Sequence, residues 1–368
     1  MEHSDSECHF KCLSQDLLAD IMVRLDGSSL ASAACTCSEL HGLAQDQTLW
    51  KHLCHSTWPS TSLKEAQQFF SSFTMEGFNR FYADSYPLIL HDRKNSDIIP
   101  IQTHLSPSDF ASFIDVYYRD KCILSRVLDG MPSTAVCGDG QSNDYLRWLL
   151  NCPFRLVLFD VDSVEGDEVR SANDEYGYTQ IQAPTFMNPV QIGKSKDHSK
   201  ELVEGIRLSW VVLDKKRGRA VNLSSWKPVL VKKIWATEGD YLMHFGCIVP
   251  VEENVLPHKL AECLILARCR LAGKEGYLRW KEISMHFEDT IGAHINGEKS
   301  LIIINRALYC SRSSKWLVVE KGYQQFEEQK QEIIRKTKLK DTIANWLFLS
   351  FEVSIFITFG YYYFFSPI

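Results

Sequence analysis

Two cysteines and a histidine near the start of the chain are the first residues that could do chemistry. In the stretch AACTCSELHGLAQDQTLW, Cys35 and Cys37 are two residues apart, and His41 follows four residues after Cys37. Each residue of a helix turns by about 100°, so Cys35 and Cys37 point to opposite sides and only Cys37 and His41 share a face. A zinc site needs three or four ligands. The stretch therefore predicts no metal site, and we interpret Cys37 as a small, buried packing residue.

A second candidate is the acidic pair in RLVLFDVDS, where Asp160 and Asp162 follow an apolar strand. This segment resembles the nucleophile motif of haloacid-dehalogenase-type phosphatases, and GDGQSND at residues 138–144 resembles their metal-binding motif. The order is reversed here, and no βαβ pattern separates the two segments, so a polar loop and a strand ending in a turn fit better. GxSxG, Walker and HExxH patterns do not occur either. We predict a non-enzyme with no catalytic residue, no metal and no cofactor.

Composition narrows the class of protein further. The 368 residues suffice for one large domain and a small one, or for two ordinary domains. A net charge of −6 argues against nucleic acid as a partner, because that partner requires a basic surface. The twelve cysteines include no CxxC pair, and the polar start MEHSDSECHF has no apolar run. We therefore expect no signal peptide and reduced cysteines in the cytoplasm.

Helical periodicity characterises residues 13–56, between a flexible leader (1–12) and linker helices (57–85). The apolar residues at helical spacing in the first segment are Leu13, Leu17, Leu18, Ile21, Met22 and Leu25. Ser14 is predicted as the N-cap of this helix, and Ser28 or Ser29 as the N-cap of the next one. Gly42 is expected to break the helical pattern.

Short β-rich runs without regular helices between them fill residues 86–320. WVVLDKKRGRAVNL predicts a hairpin, and the segment 257–289 predicts two long strands around AGKEG. LIIINRALY and KWLVV also look like strands. The predicted fold class is α+β, with a small N-terminal three-helix unit, a mostly antiparallel β-rich domain and a C-terminal hydrophobic helix.

The segment LSQDLLADIMVRLDGSSLASAACTCSELHGLAQDQTLWKHL resembles the F-box, with Ser14 and Leu40 where the family usually has Pro and Trp. The later segments CPFRLVLFD and LSWVVLDKKRGRAVNLSSWKPV resemble those of a plant group of F-box proteins. The positions that match the adaptor-binding F-box pattern are Leu13, Ser14, Leu17, Leu18, Ile21, Leu25, Leu30, Ala34, Cys37, Leu43, Leu49 and Trp50.

The resemblance implies a function in protein ubiquitination. F-box proteins dock on a Skp-type adaptor and, through it, on the cullin and RING subunits of an SCF ubiquitin ligase. This chain would then be a non-catalytic receptor for an unknown protein substrate. An alternative is a lectin-like, ligand-binding β module with a vestigial F-box. Four strand tryptophans suggest it, although such residues usually lie in the core: Trp210, Trp226, Trp235 and Trp280.

The chain ends in a basic amphipathic helix (321–342) and an apolar segment (343–365) with a single charge, Glu352. Twenty-three helical residues would span roughly 34 Å, enough for a bilayer core of about 30 Å. We predict a membrane anchor that includes Trp346, Leu347, Phe348, Phe351, Ile355, Phe356 and Phe359. The lysines and arginines that precede this segment would keep the rest of the protein on the cytosolic face of an endomembrane. Alternatively the segment packs on the β domain or on a partner, and a chain that is not inserted could enter the nucleus.

Overall fold

The structure is a computed structural model that describes residues 13–71, 77–90, 105–131, 153–160, 190–191, 198–235, 237, 239–272 and 277–365. Six helices form its N-terminal part: α1 (Gln15–Val23), α2 (Gly27–Ala34), α3 (Ser38–Ala44), α4 (Gln47–Thr57), α5 (Lys64–Ser71) and α6 (Gly77–Ser85). A 3-10 turn at Pro59–Ser62 joins α4 to α5. The predicted leader 1–12 lies outside the described residues.

Side-chain caps explain where the first helices begin. The Ser14 hydroxyl accepts the Leu17 N–H at 3.4 Å, which confirms the predicted cap of α1. The cap of α2 was predicted wrongly: Asp26 accepts the Ser29 N–H at 2.7 Å, and the carboxylate binds this N–H more strongly than a hydroxyl would. Gly42 does not break the pattern but lies inside α3. Residues 15–57 thus hold four short helices where three were predicted.

The strands form antiparallel pairs throughout the described part of the chain, as predicted. They are β1 (Leu88–Ile89), β2 (Phe110–Tyr118), β3 (Lys121–Asp129), β4 (Arg155–Asp160), β5 (Val190–Gln191), β6 (Ile206–Asp214), β7 (Arg219–Asn222), β8 (Leu230–Lys233), β9 (Asp240–Pro250), β10 (Leu260–Ala272), β11 (Tyr277–Asp289) and β12 (Arg312–Ser313). One sheet has the order β3-β2-β6-β7. A larger one has the order β4-β11-β10-β9-β8, with β5 also on β11, and β1 pairs with β12.

Three more helices complete the described fold: α7 (Ser199–Gly205), α8 (Gly297–Ala307) and α9 (Trp316–Phe365). The hairpin β6–β7 and the long pair β10–β11 confirm the two strand predictions. Two segments were predicted wrongly as strands. Most of LIIINRALY lies in α8, and α9 begins within KWLVV. Asn296 caps α8 by accepting the Lys299 N–H at 3.0 Å. Short apolar runs fit a strand and a buried helix equally well.

The four-stranded sheet is covered on both faces. All nine residues of β2 are buried, which a strand with one solvent-facing side would not show. Ile114 and Val116 pack into the core shared with the larger sheet, whereas Ala111 and Phe113 pack into the core formed with the N-terminal helices. The molecule is therefore built in three layers, helices on sheet on sheet, and the helical layer shares a continuous core with the β domain.

Candidate adaptor-binding surface

Helix α1 exposes apolar side chains on the side that faces away from the core. Leu17 is 46% exposed, Ile21 is 38% exposed and Val23 is 49% exposed, while Leu18 and Met22 on the same helix are buried. Leu17 and Ile21 are four residues apart and so lie one above the other on one helical face. Together they define what we name the α1 patch, Leu17 with Ile21. Exposed apolar residues grouped in this way are typical of a protein contact surface.

The other predicted F-box residues divide by burial. Leu18, Leu30 and Trp50 lie in the core, where they support the helices but offer no contact area. Five are half-buried: Leu13, Leu25, Ala34, Leu43 and Leu49. Ser14 and Cys37 are exposed, as is the α1 patch. The prediction that Cys37 is buried was wrong, because Cys37 is the N-cap residue of α3.

Trp50 shows how the interior supports this surface. Its indole Nε1 donates a hydrogen bond to the Ala44 carbonyl at 2.7 Å, and its ring packs against Tyr82 of α6 at 5.5 Å between centroids. Leu40, at the position where the family usually has Trp, is half-buried and packs against the same core. The nitrogens of His41 contact the Ala34 carbonyl and the Gln45 amide at 3.3 and 2.9 Å.

A buried carboxylate attaches the helical layer to the sheet. Asp115 of β2 accepts hydrogen bonds from the Ser60 N–H at 2.9 Å, the Ser60 hydroxyl at 2.5 Å and the Ser125 hydroxyl at 2.6 Å. Burial raises the pKa of Asp115 to about 6, although the hydrogen bonds from Ser125 and Ser60 oppose the rise. Nearby, the Tyr117 hydroxyl donates to the Thr57 carbonyl at the end of α4.

A second polar junction attaches α6 to the opposite edge of the same sheet. The Asp84 carboxylate accepts the Ala220 N–H of β7 at 3.1 Å and lies 3.0 Å from Arg219 Nε. Arg312 of β12 reaches the same carboxylate at 3.5 Å. The two junctions, at Asp115 and Asp84, bind the helical layer to the sheet at separate places.

The tryptophans that suggested a lectin-like module and the acidic residues that resembled a phosphatase motif form no common site in the described part of the chain. Trp210 and Trp280 are buried in the core, whereas Trp235 is 95% exposed on the β8–β9 connection. Trp226 packs against Tyr117, so these tryptophans share no common exposed face. Asp160 ends β4, which pairs antiparallel with β11, while Asp162 and residues 138–144 lie outside the described residues.

Sequence reasoning missed one cluster of potential metal ligands. His286, Glu288 and His294 place one ligand atom each within 4.8 Å of one another. His286 and Glu288 alternate along β11 and therefore share a face, and His294 forms a β-bridge with Glu288 across the following loop. The signal in the sequence was HFEDTIGAH, in which His-x-Glu on a strand precedes a tight turn with glycine.

The C-terminal helix has a docked part and a free part. Phe326 is fully buried against Ile248 and Leu260, and Lys330 lies 2.5 Å from the Glu262 carboxylate. Every residue from 335 to 359 is exposed, including the predicted anchor residues Trp346, Leu347, Phe348, Phe351, Ile355, Phe356 and Phe359. By length and composition, α9 is long and apolar enough to cross a membrane. It is one continuous helix that begins at Trp316, inside the predicted β-rich segment.

Comparison with known proteins agrees with this architecture. The F-box-like family model matches residues 15–56, which span α1 to α4. F-box protein At3g44326 of Arabidopsis thaliana is 30% identical over 91% of this chain and 86% of its own length. F-box protein At2g27310 of the same plant is 28% identical over 94% of this chain and 93% of its own length. No solved structure matches the chain.

F-box proteins, the class that this helical unit and the relatives define, are in general non-catalytic adaptor subunits. The chain belongs to the F-box proteins. A third relative, F-box protein SNE of Arabidopsis thaliana, is 46% identical over 52 residues, which are 13% of this chain and 33% of that protein. The long relatives extend the similarity across the β-rich domain and into the C-terminal part.

Proposed function

We propose that this F-box protein is a substrate receptor of an SCF-type ubiquitin ligase and docks on a Skp-type adaptor through α1 to α4. The observation that supports this proposal best is the α1 patch: Leu17 and Ile21 are exposed on a helix whose other side is packed in the core. Burial of the exposed part of each side chain contributes roughly 1 kcal/mol, less than half of what burial of a fully exposed side chain contributes.

The β-rich body would present the substrate. A receptor of this type acts by raising the effective concentration of substrate lysines near a charged ubiquitin-conjugating enzyme. That effect requires a defined distance between the two binding surfaces. The shared core and the junctions at Asp115 and Asp84 support this role, because they remove freedom between the helical layer and the β domain.

Co-purification of the full chain with a Skp-type adaptor tests the docking proposal. We expect Leu17→Ala with Ile21→Ala to abolish co-purification. The matched control is Val203→Ala with Leu230→Ala, two residues that are each 37% exposed on the β-rich body. The proposal is refuted if the α1 double variant retains the adaptor at the control level while its thermal melting is unchanged.

We further propose that residues 343–365 anchor the receptor in a membrane with the body on the cytosolic side. This proposal is supported by the exposure of residues 343–359 and 361–364 of α9. Twelve of its residues are Leu, Ile, Phe or Val. They contribute roughly −4 to −7 kcal/mol to insertion, against about +3 for Glu352. Lys338 and Lys340 precede the span on the free part of the helix, as the positive-inside rule requires for this orientation.

Carbonate extraction of membranes from cells that express the full chain tests the anchor. Phe351→Lys with Ile355→Lys adds roughly 5–7 kcal/mol to the cost of insertion, which reverses its sign, so we expect this variant in the soluble fraction. Leu317→Lys with Val318→Lys is the control, because these residues are exposed on the same helix outside the predicted span. Extraction of the unmodified chain by carbonate would exclude the anchor.

A further inference from the structure

The polar cluster at the end of β11 has the composition of a zinc site. His286 and Glu288 alternate on the strand, and His294 follows after a tight loop. Two imidazoles and one carboxylate are a ligand set that catalytic zinc sites use, with the fourth position left to water. The His286 and His294 rings lie 4.9 Å apart between centroids.

The spacing of the ligand atoms suits a single ion. His286 Nε2 lies 3.2 Å from Glu288 Oε1. Zinc binds such atoms at about 2.0–2.2 Å, so two ligands of one tetrahedral ion stand about 3.3 Å apart. His294 completes a set in which all three ligand atoms are within 4.8 Å of one another. The His294 side chain is exposed.

The loop that carries His294 is held by its own hydrogen bonds. The Asp289 carboxylate accepts the N–H groups of Ile291 and Ala293, both at 2.9 Å. Gly292 adopts a φ of +85°, which favours glycine, and the Asp289 N–H donates to the Ala293 carbonyl at 3.0 Å. These hydrogen bonds fix the backbone position of His294. The loop therefore loses little conformational entropy when a ligand binds.

The charges around the cluster allow a cation to bind. Lys330 is a positively charged side chain beside the cluster, and its ammonium lies 3.8 Å from Glu288 Oε2. Its charge is compensated by Glu262 at 2.5 Å, and Glu288 Oε1 faces the histidines instead.

We propose that His286, Glu288 and His294 bind one zinc ion whose fourth position is open to water. The site lies at the end of β11 next to the docked part of α9, remote in sequence from the α1 patch. Bound zinc ties the loop 289–294 to the strand and so stabilises the beginning of α8. The site is independent of adaptor binding, which rests on other residues.

Zinc titration of the purified full chain, which carries an affinity tag without histidine, tests the proposal. A chromophoric chelator competes for the metal, so that affinity and stoichiometry are both measured. We expect one zinc per chain in this site, and a loss of at least about tenfold in its affinity in His294→Ala. His258→Ala is the control, because His258 is exposed in the β9–β10 connection away from the cluster. Zinc should raise the melting temperature of the control but not that of His294→Ala.

Cobalt substitution distinguishes metal binding at this site from metal binding by cysteines. Cobalt bound by two histidines and a carboxylate gives ligand-field bands without a thiolate charge-transfer band. Equal zinc affinity and stoichiometry in His294→Ala and the control would overturn the proposal, and so would a thiolate band in the cobalt form. Because His294 is exposed in a loop, its replacement leaves the core intact, and circular dichroism of the metal-free variant verifies this.

Discussion

Ser60 and Asp115 are 55 residues apart in the sequence and form two hydrogen bonds, one from the Ser60 N–H and one from its hydroxyl, to the two oxygens of a fully buried carboxylate. Ser60 lies in the turn that follows the last F-box helix, and Asp115 lies in the middle of the central strand β2. This pair therefore connects the F-box helices to the β-rich body at one defined point.

Replacement of Asp115 should show what this connection contributes. Asp115→Ala leaves the buried Ser60 N–H and Ser125 hydroxyl without their acceptor, which costs about 1–3 kcal/mol of unfolding free energy. Asp115→Asn should cost less, because the amide oxygen can still accept the N–H and the amide nitrogen can donate to a serine hydroxyl. Denaturant unfolding of both variants measures the difference. Equal stability of the Ala and Asn variants would contradict this account.

The raised pKa of Asp115 predicts a pH dependence of stability. The folded state retains the proton up to about pH 6, whereas the unfolded chain releases it near 3.8. Between these values the folded state binds more protons, so the contribution of Asp115 to stability falls as the pH rises through this window. The full difference is on the order of 3 kcal/mol.

The difference between the unmodified chain and Asp115→Asn isolates this effect, since the other titrating groups are common to both. We expect the stability of the Asn variant, relative to the unmodified chain, to increase steadily from pH 4 to pH 6 and to level off above that. Unfolding curves recorded at each pH measure it. A pH-independent difference would show that Asp115 titrates at its ordinary value.

Two glycines of the F-box helices should respond to alanine in opposite directions. A Cβ at Gly27 would lie 2.2 Å from the Tyr82 ring, so Gly27→Ala must displace the contact between α2 and α6 and should cost about 1–3 kcal/mol. A Cβ at Gly42 would meet nothing within 4 Å, and Gly42→Ala should stabilise α3 by up to about 1 kcal/mol. Thermal melting of the two variants decides; a lower melting temperature for Gly42→Ala than for Gly27→Ala would be inconsistent with this packing.

Glu262 should control how firmly α9 is docked. It is almost fully buried and accepts hydrogen bonds from the Tyr323 hydroxyl and from Lys330. Glu262→Gln removes the charge that compensates Lys330, and should lower the opening free energy of residues 316–330 by about 1–3 kcal/mol. Hydrogen exchange of the backbone amides of residues 316–330 measures this opening free energy. Glu253→Gln, which disrupts an exposed ion pair with Lys259, is the control and should leave exchange unchanged.

Local signals were sufficient to predict much of this fold. The cap at Ser14 and the hairpin around residues 215–218 rest on residues close in sequence, and each was confirmed. Asp214 shows why: its carboxylate accepts the N–H groups of Lys216 and Arg217 within the turn itself. The wrong assignments fall on the apolar runs at 301–309 and 315–319, where periodicity is too short to separate a strand from a helix.

Other features depend on contacts that no local pattern contains. The N-terminal helices bury one face of β2 and the core shared with the larger sheet buries the other, and neither contact is encoded in the strand itself. Nothing in FASFIDVYY distinguishes Asp115 from a solvent-facing residue. The same limit applies to the candidate site. The F-box pattern identified its positions, but only the packing shows that Leu17 and Ile21 are exposed while Leu18, Leu30 and Trp50 are not.

The continuity of α9 makes the C-terminal segment a spacer of definite length. Lys330 is docked on the body, and the predicted span begins at Ile343, thirteen residues further along the same unbroken helix. At 1.5 Å per residue this interval measures about 20 Å. A receptor anchored in a bilayer by this helix would hold its body about two nanometres above the lipid. It would bind targets whose accessible segments lie at that distance, close to the membrane surface.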